Sequence, residues 1–401
     1  MKNRTGDTLQ MERPSFGVER QMHIYLNGLF NRKNKFPVSY EDLLQEASEK
    51  MTPEAFAYIA GGAGGETTMR NNQEALDDWQ IVPRMLVDIS NADMGVTLFG
   101  QRLPSPLLLG PVGVLSIAHP EAELAVARAA RSMKVPQVVS NVSSMPMEDI
   151  ARENAENPHW FQLYWGRDHD FTRSVIRRAE EAGYSALVVT LDTPVLAWRE
   201  RDIQLGYLPF LHGHGLANYF GDPVFREAVG GDPEQNKFKA IRHFTKVFTG
   251  PGLTWNDLSV IRNCTRMPII LKGIQHIDDA RKALDYGVDG IVVSNHGGRQ
   301  VDGAVGSLVV LPEIANAVGD ELTVLFDSGI RRGADVFKAM ALGAKAVLVA
   351  RPYALALAVG GEAGVREVIT NLLADIDLTL GLAGCRSWEE VSVRNLRKKS
   401  S

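Results

Sequence analysis

The sequence predicts an α/β fold, a (β/α)8 TIM barrel with an N-terminal helical segment and a long loop insertion after strand four. Three observations carry this. Eight short apolar runs recur between residues 107 and 349. Segments rich in Ala, Leu and charge, with helical period, separate them. Most runs are unbroken Val, Ile and Leu, the pattern of parallel strands covered by helices on their outer face.

In chain order, residues 1–36 read as an N-terminal arm or lid, with scattered aromatics and no clear period. Helical signals begin near Ser39. A second helix is expected from Thr52-Pro53-Glu54, with Thr as cap and Pro in the first turn, carrying Phe56 and Tyr58 and stopping at Gly61-Gly62. The expected strands are Leu107–Gly110, Gln137–Ser140, Trp160–Leu163, Ala186–Leu191, Ile269–Leu271, Gly290–Ser294, Thr323–Asp327 and Ala346–Val349. Helices between them are signalled by Pro120-Glu121, Arg173–Ala182, Asp278–Tyr286 and Gly333–Leu342. A single domain spanning 1–401 follows, with the barrel core at 107–360. Strand starts lie ~20–35 residues apart, the size of a βα unit, except between the fourth and fifth, at 186 and 269. The excess, 201–252, contains Tyr207, Phe210, His212, His214, Tyr219 and Phe220 and reads as a partly mobile lid.

Composition narrows the function classes. Of 401 residues, 45% are hydrophobic and 23% charged, and the net charge of −5 disfavours a nucleic-acid binder. The basic run Arg397-Lys398-Lys399 reads as a solvated tail. Two cysteines build no disulfide framework, no apolar run is long enough for a membrane span, and no signal peptide or Ser-Lys-Leu terminus is present. The expected location is the cytoplasm. His212-Gly213-His214 lacks partners for zinc, so no metal is expected. Gly61-Gly62-Ala63-Gly64-Gly65 follows a helix and lacks dinucleotide-binding spacing, and neither a Walker A sequence nor a nucleophile elbow occurs.

Catalytic groups of a barrel sit at the C-terminal ends of its strands. Those ends carry Pro111-Val112-Gly113, Ser140, Gln162 and Tyr164, Thr190 and Asp192, Lys272, Ser294 with His296 and Arg299, Asp327 with Arg331, and Arg351. The loops after strands seven and eight are the usual phosphate site, where glycines admit backbone N–H groups and an arginine adds a forked charge. His296, directly after an apolar strand, is placed to take a proton, with Arg299 close by as an anion clamp. Asp192 either orients that imidazole or is a turn residue before Pro194. Lys272 is a Schiff-base former, a phosphate ligand or a partner for a developing anion.

The set Ser294-Asn295-His296-Gly297-Gly298-Arg299-Gln300, Phe161-Gln162-Leu163-Tyr164, Thr190-Leu191-Asp192-Thr193-Pro194, Leu271-Lys272-Gly273 and Asp327–Gly333 resembles the FMN-dependent α-hydroxy-acid oxidases and dehydrogenases over about residues 38 to 395. The stretches Ala197–Asp202, Pro209–Leu211, Asp222–Phe225 and Lys272–His276, with the long insertion, most resemble the branch that oxidatively decarboxylates lactate. The resemblance implies FMN as cofactor and a homotetramer or homo-octamer. It implies that Pro111, Val112 and Gly113 lie along the flavin, and that Ser140, Gln162, Thr190 and Ser294 contact its rings and ribityl chain. Lys272 would face the flavin's N1/C2 edge, Asp327 the ribityl hydroxyls, and Gly329, Arg331 and Arg351 the phosphate, with Ser328 and Ala350 beside them. Tyr58, Tyr164, Arg199 and Arg299 would bind the substrate, and His296, supported by Asp192, would be the base. Three positions depart from the common pattern: Ala350 and Ser328 stand where Gly is usual, and Gly113 where many oxidases have Ala. The implied reaction is oxidation of a small L-2-hydroxy acid by O2. L-lactate is the expected substrate, giving acetate, CO2 and water; the alternatives are release of the keto acid with H2O2, or another electron acceptor.

Overall fold

A computed structural model describes residues 15–248 and 250–399. Among these, eight parallel strands close into a barrel. They are β1 (Leu107–Leu109), β2 (Gln137–Ser140), β3 (His159–Tyr164), β4 (Leu187–Thr190), β5 (Ile269–Ile274), β6 (Gly290–Val293), β7 (Thr323–Phe326) and β8 (Ala346–Val349). Closure is made where β8 pairs with β1, Leu348 opposite Leu108. The Val, Ile and Leu runs are buried along their whole length because helices cover the outer face and side chains fill the inside. The ladder between β5 and β6 breaks at Gly273, whose φ of +109° favours glycine.

The floor of the barrel is plugged by a hairpin, Val96–Leu98 with Gln101–Leu103. It sets Phe99 edge-on against Trp160, centroids 5.6 Å apart, beside Gly290. Function is thereby confined to the opposite, C-terminal mouth. Helices Tyr40–Lys50, Pro53–Ala60 and Thr67–Asp77 reach that mouth. Ser39 caps the first at Asp42 N, and Thr52 caps the second at Ala55 N.

The N-terminal arm is not wholly irregular. Phe16–Leu29 is a helix, and it docks on the far half of the last helix, Arg351–Leu382, rather than over the mouth. Gly17 permits this approach: a Cβ there would lie 2.6 Å from Leu378 Cγ. Gly17 N donates to Asp377 (2.8 Å) and Arg20 Nε to Asn371 (3.0 Å). Residues 1–14 of the expected arm lie outside the described residues. The last helix breaks at Gly360–Gly361, where Phe36 packs against the missing side chain.

The insertion is built from helices Glu200–Gln204, Ala217–Phe220, Pro223–Val229 and Lys237–Val247, with a short turn at Pro209–His212. Its aromatics form a buried cluster: Phe171–Tyr219 centroids are 4.6 Å apart, Tyr219–Phe244 4.7 Å, Phe210–Phe248 5.3 Å and Tyr164–Phe248 5.1 Å. Asn218 fastens this layer to the barrel, accepting from Met147 N (2.8 Å) and donating to Ser143 Oγ (2.9 Å).

The C-terminal basic run is exposed but is not a free tail. Leu396–Lys398 pairs antiparallel with Trp79–Ile81, and Lys399 N bonds Asp78 O at 2.7 Å. Backbone pairing holds the strand while the charged side chains stay in water.

Candidate active site at the barrel mouth

Loops at the mouth enclose a cavity of about 1100 Å3, part of it open to solvent. Pro111, Val112 and Gly113 form one wall. Tyr58, Tyr164, Arg199, His296 and Arg299 line it with Lys272. Asp327, Ser328, Gly329, Arg331, Ala350 and Arg351 close the end at β7 and β8. Ser140, Gln162, Thr190, Ser294 and Asp192 do not line it; they lie buried or half-buried beside or behind it.

His296 follows β6 in the left-handed region, φ +57°. A non-glycine residue held there is strained and needs fixed surroundings. Its own N–H donates to Ser294 Oγ (3.0 Å), and Gly297 N donates to Ser328 Oγ (3.0 Å). Gly298 N donates to Asn295 Oδ1 (3.0 Å), while Asn295 and Asn72 exchange amide bonds of 2.7 and 2.9 Å. The hydroxyl at 328 therefore has a local task where glycine would have none.

The imidazole Nδ1 and Asp192 Oδ1 are 2.8 Å apart. With the proton on Nδ1, donated to the carboxylate, Nε2 is left as the basic nitrogen. Burial pushes the His296 pKa below its ordinary 6.5, and Lys272 adds to this, against the opposing pull of Asp192. Burial disfavours the Asp192 carboxylate, but the His296 and Lys272 charges and the hydrogen bonds outweigh it and hold its pKa down. The pair is thus a neutral imidazole on an ionised carboxylate at neutral pH. Tyr164 Oη lies 3.5 Å from Nε2, and burial raises that phenol's pKa so that it stays protonated.

Lys272 joins three strand ends. Its Nζ lies 3.0 Å from Asp327 Oδ2 and donates to Ser294 Oγ at 3.0 Å. Burial opposes its charge, yet Asp327 and Asp192 raise its pKa. Its ion pair with Asp327 favours the charged form, whereas Schiff-base chemistry needs a neutral amine.

Three guanidiniums complete the mouth. Arg299 Nη1 donates to Tyr58 O and Gly61 O, both at 2.7 Å, the carbonyls ending helix Pro53–Ala60. Arg351 donates to Gly297 O (2.8 Å) and Gly61 O (2.9 Å). Arg199 donates to Arg299 O at 3.2 Å. Arg299 and Arg199 both lie over the Tyr58 ring, 5.1 and 5.7 Å from its centroid. Burial and the neighbouring arginine lower the Arg299 pKa to about 10 and that of Arg351 to about 9. Both remain charged at neutral pH, and an anion brought into this cluster would relieve the crowding of like charge.

The chemistry of the donors fits an FMN. Gln162 Nε2, Thr190 Oγ1 and Arg351 Nε are buried polar atoms without a hydrogen-bond partner among the described residues. Such atoms are costly unless something pairs with them. Gln162 is already oriented, its Oε1 accepting from Ser140 Oγ at 2.8 Å. At Gly113 a Cβ would lie 2.6 Å from Val142 Cγ2, so this loop packs closely on the one after β2.

Two groups around the site, Phe248 and Glu123, escaped the reading of the sequence, and a third, Gln300, entered it only as part of a motif. Phe248 lines the cavity beside Phe210. Gln300 donates to Asp192 O (2.5 Å) and Thr193 Oγ1 (2.9 Å) and accepts from Arg199 at 3.2 Å. Glu123, buried at the start of helix Ala122–Met133, accepts from Leu115 N, Ser144 N and Met145 N at 3.3, 3.0 and 3.2 Å, tying together the loops after β1 and β2. Gln300 was signalled by its adjacency to Arg299; Glu123 and Phe248 had no local motif to mark them.

The model of the FMN-dependent dehydrogenase family matches residues 47–398. An FMN-dependent alpha-hydroxy acid dehydrogenase of Penicillium citrinum, qulF, is 46% identical over 384 residues, 95% of this chain and 96% of that one. An L-lactate oxidase of Lysinibacillus sphaericus is 42% identical, covering 90% and 93%. A crystal structure of mandelate oxidase superposes with a TM-score of 0.80 at 41% identity, covering 90% of this chain and 98% of that one. Fold and site together define a barrel flavoenzyme. The chain belongs to the FMN-dependent α-hydroxy-acid oxidase and dehydrogenase family, and it is an FMN-dependent 2-hydroxy-acid oxidoreductase.

Proposed function

We propose that the enzyme oxidises a small L-2-hydroxy acid, L-lactate foremost, with O2, and converts it to acetate, CO2 and water before the product leaves. The observation carrying this reading is the folded insertion, whose Phe210 and Phe248 line the same cavity as His296 and the arginines. A roof of packed aromatics retains a small keto acid while oxygen reacts. Val112, Val142 and Leu196 give the cavity part of its apolar lining.

FMN, when bound, supplies the two-electron acceptor and the centre that reacts with oxygen. The protein's part is to hold and deprotonate. Arg199 and Arg299 match the substrate carboxylate with planar donors. Their charge offsets the anion beside a carbon that must lose a proton or a hydride. His296 Nε2 takes a proton, from the α-carbon or from the hydroxyl, and Asp192 stabilises the imidazolium that forms. Lys272 would place a cation beside the cofactor. Pro111, Val112 and Gly113 would lie along its ring. Asp327 and the Ser328–Arg331 loop would hold its chain and phosphate, with Ala350 and Arg351.

A second reading, release of pyruvate and H2O2, is favoured by the similarity to a relative named L-lactate oxidase. Product analysis with L-lactate under air separates the two. The proposal expects one CO2 and one acetate per O2 consumed, with little peroxide. Peroxide and pyruvate in step with O2, without CO2, would replace it by the second reading. Faster turnover of mandelate than of lactate would remove lactate as substrate.

A further inference from the structure

A second cavity, with about 1300 Å3 of empty space that includes open solvent, lies beside the first, against the N-terminal helices. It shares Gly297, Gly329, Arg331 and Arg351 with the first. These four residues are the partition between the two spaces, at the end of the site where β7 and β8 place their arginines. The first runs from that junction to the mouth under the insertion. The second runs outward between the barrel and the N-terminal helices, past Tyr40, Leu44, Phe56 and Gln73.

At its outer rim, Arg331 lies over the Tyr40 ring with its guanidinium carbon 4.0 Å from the centroid. Arg332 reaches Glu41 at 3.1 Å. Tyr40 and Glu41 open helix Tyr40–Lys50, whose other end is fixed by Lys50 Nζ to Val359 O at 2.7 Å. One helix end is thus anchored on the scaffold, and the other rests on the two arginines of the β7 loop. The inner end of the first cavity is closed by buried side chains, and the insertion covers its mouth.

We propose that FMN enters and leaves through this second opening, phosphate end outermost, and that Tyr40 retains it by holding Arg331. This rests on the reading of Arg331 and Arg351 as the phosphate ligands. Substrate and cofactor would then use separate doors, so the insertion can open for turnover without loosening FMN. A ring under a guanidinium fixes the arginine's direction through cation–π attraction while leaving its N–H groups free for an anion.

The test is the rate of FMN release from the holoenzyme on dilution, followed as recovery of free-flavin fluorescence. Tyr40→Ala should release FMN about fivefold faster, the factor expected of a partly exposed cation–π contact. Tyr40→Phe, which keeps the ring, should release it at the original rate. Phe248→Ala, which loosens the insertion, should raise the KM for the hydroxy acid and leave FMN release unchanged. Equal release from Tyr40→Ala and the unsubstituted enzyme would overturn the proposal, as would faster release from Phe248→Ala than from Tyr40→Ala. Arg351→Met tests the underlying reading separately. If it binds FMN as tightly as the original, the phosphate assignment itself fails; if it binds weakly while Tyr40→Ala is unaltered, only the route and its latch fail.

Discussion

Replacing Asp192 by Asn tests the imidazole–carboxylate pair most directly. The Nδ1 to Oδ1 distance of 2.8 Å puts the two charge centres roughly 4 Å apart in the imidazolium state. At an effective dielectric of ~20 that separation is worth about 4 kcal/mol, or about a thousandfold in rate. Asparagine keeps the shape and an acceptor but removes the charge. Lys272 also draws on the Asp192 charge in the unsubstituted enzyme, so the imidazolium loses less than the full amount. The expected loss in kcat/KM for L-lactate is therefore about 10²–10³, with the same loss in the rate of anaerobic flavin bleaching. The pH profile supplies the sign. His296 must be neutral to accept a proton, so activity falls as pH drops through its pKa, already held below 6.5 by burial. Asp192 pulls that pKa upward. Without the carboxylate it drops further, and the acid limb moves to lower pH. A loss smaller than about tenfold, or a limb displaced to higher pH, would refute the coupling of these two residues.

Other predictions concern the supports of the site. Arg299→Met should lower kcat/KM by a factor equivalent to about 2–5 kcal/mol, the range for truncating a buried charge pair. Steady-state kinetics measure it, and a loss under about threefold would remove Arg299 as a carboxylate clamp. Burial pushes the Glu123 pKa to about 7 from 4.5. The folded form holds a proton that the unfolded chain has already released, so this residue's contribution to stability is complete below pH 4.5 and declines as pH rises through about 7. Glu123→Gln should flatten that part of the Tm-against-pH curve, and an unchanged slope would contradict the assignment. At Gly273 an added Cβ would stand 2.8 Å from Asp192 Cβ and 3.0 Å from its carboxylate, at a φ of +109°. Gly273→Ala should cost about 1–3 kcal/mol in urea unfolding of the holoenzyme, and it should displace the pH profile of kcat/KM; an unmoved profile would show that Asp192 keeps its place.

Much of this was legible because parallel barrel strands announce themselves. Buried on both faces, β4, β6, β7 and β8 read as apolar runs, and each run ends where a polar residue first becomes useful. His296, Lys272 and Asp327 were found that way, as end positions rather than as motifs. What the pattern hides is direction. Ser140, Gln162 and Ser294 sit at equivalent ends, yet they are buried beside the cavity, and their partners in space come from neighbouring strands. The insertion's position followed from spacing, but its packing did not: Tyr219, Phe225 and Phe244 make a core with Phe171 from the third unit, a contact between distant residues. The helix Phe16–Leu29 was missed because only Gly17 is buried along it, so no apolar stripe marks its docked face. The C-terminal strand was missed because its charged side chains face water while its backbone alone does the pairing.

That last pairing bears on how the protein is made. Trp79–Ile81 emerges from the ribosome roughly 300 residues ahead of Leu396–Lys398. At ~5–20 residues per second, the earlier segment waits about 15–60 s for its mate. The barrel has the same dependence, since Leu108 meets Leu348 only after roughly 240 further residues have been synthesised. The nascent chain thus spends that interval with unzipped β edges exposed, and a stop between Val349 and Leu396 would let the barrel close yet leave the outer pair unsealed.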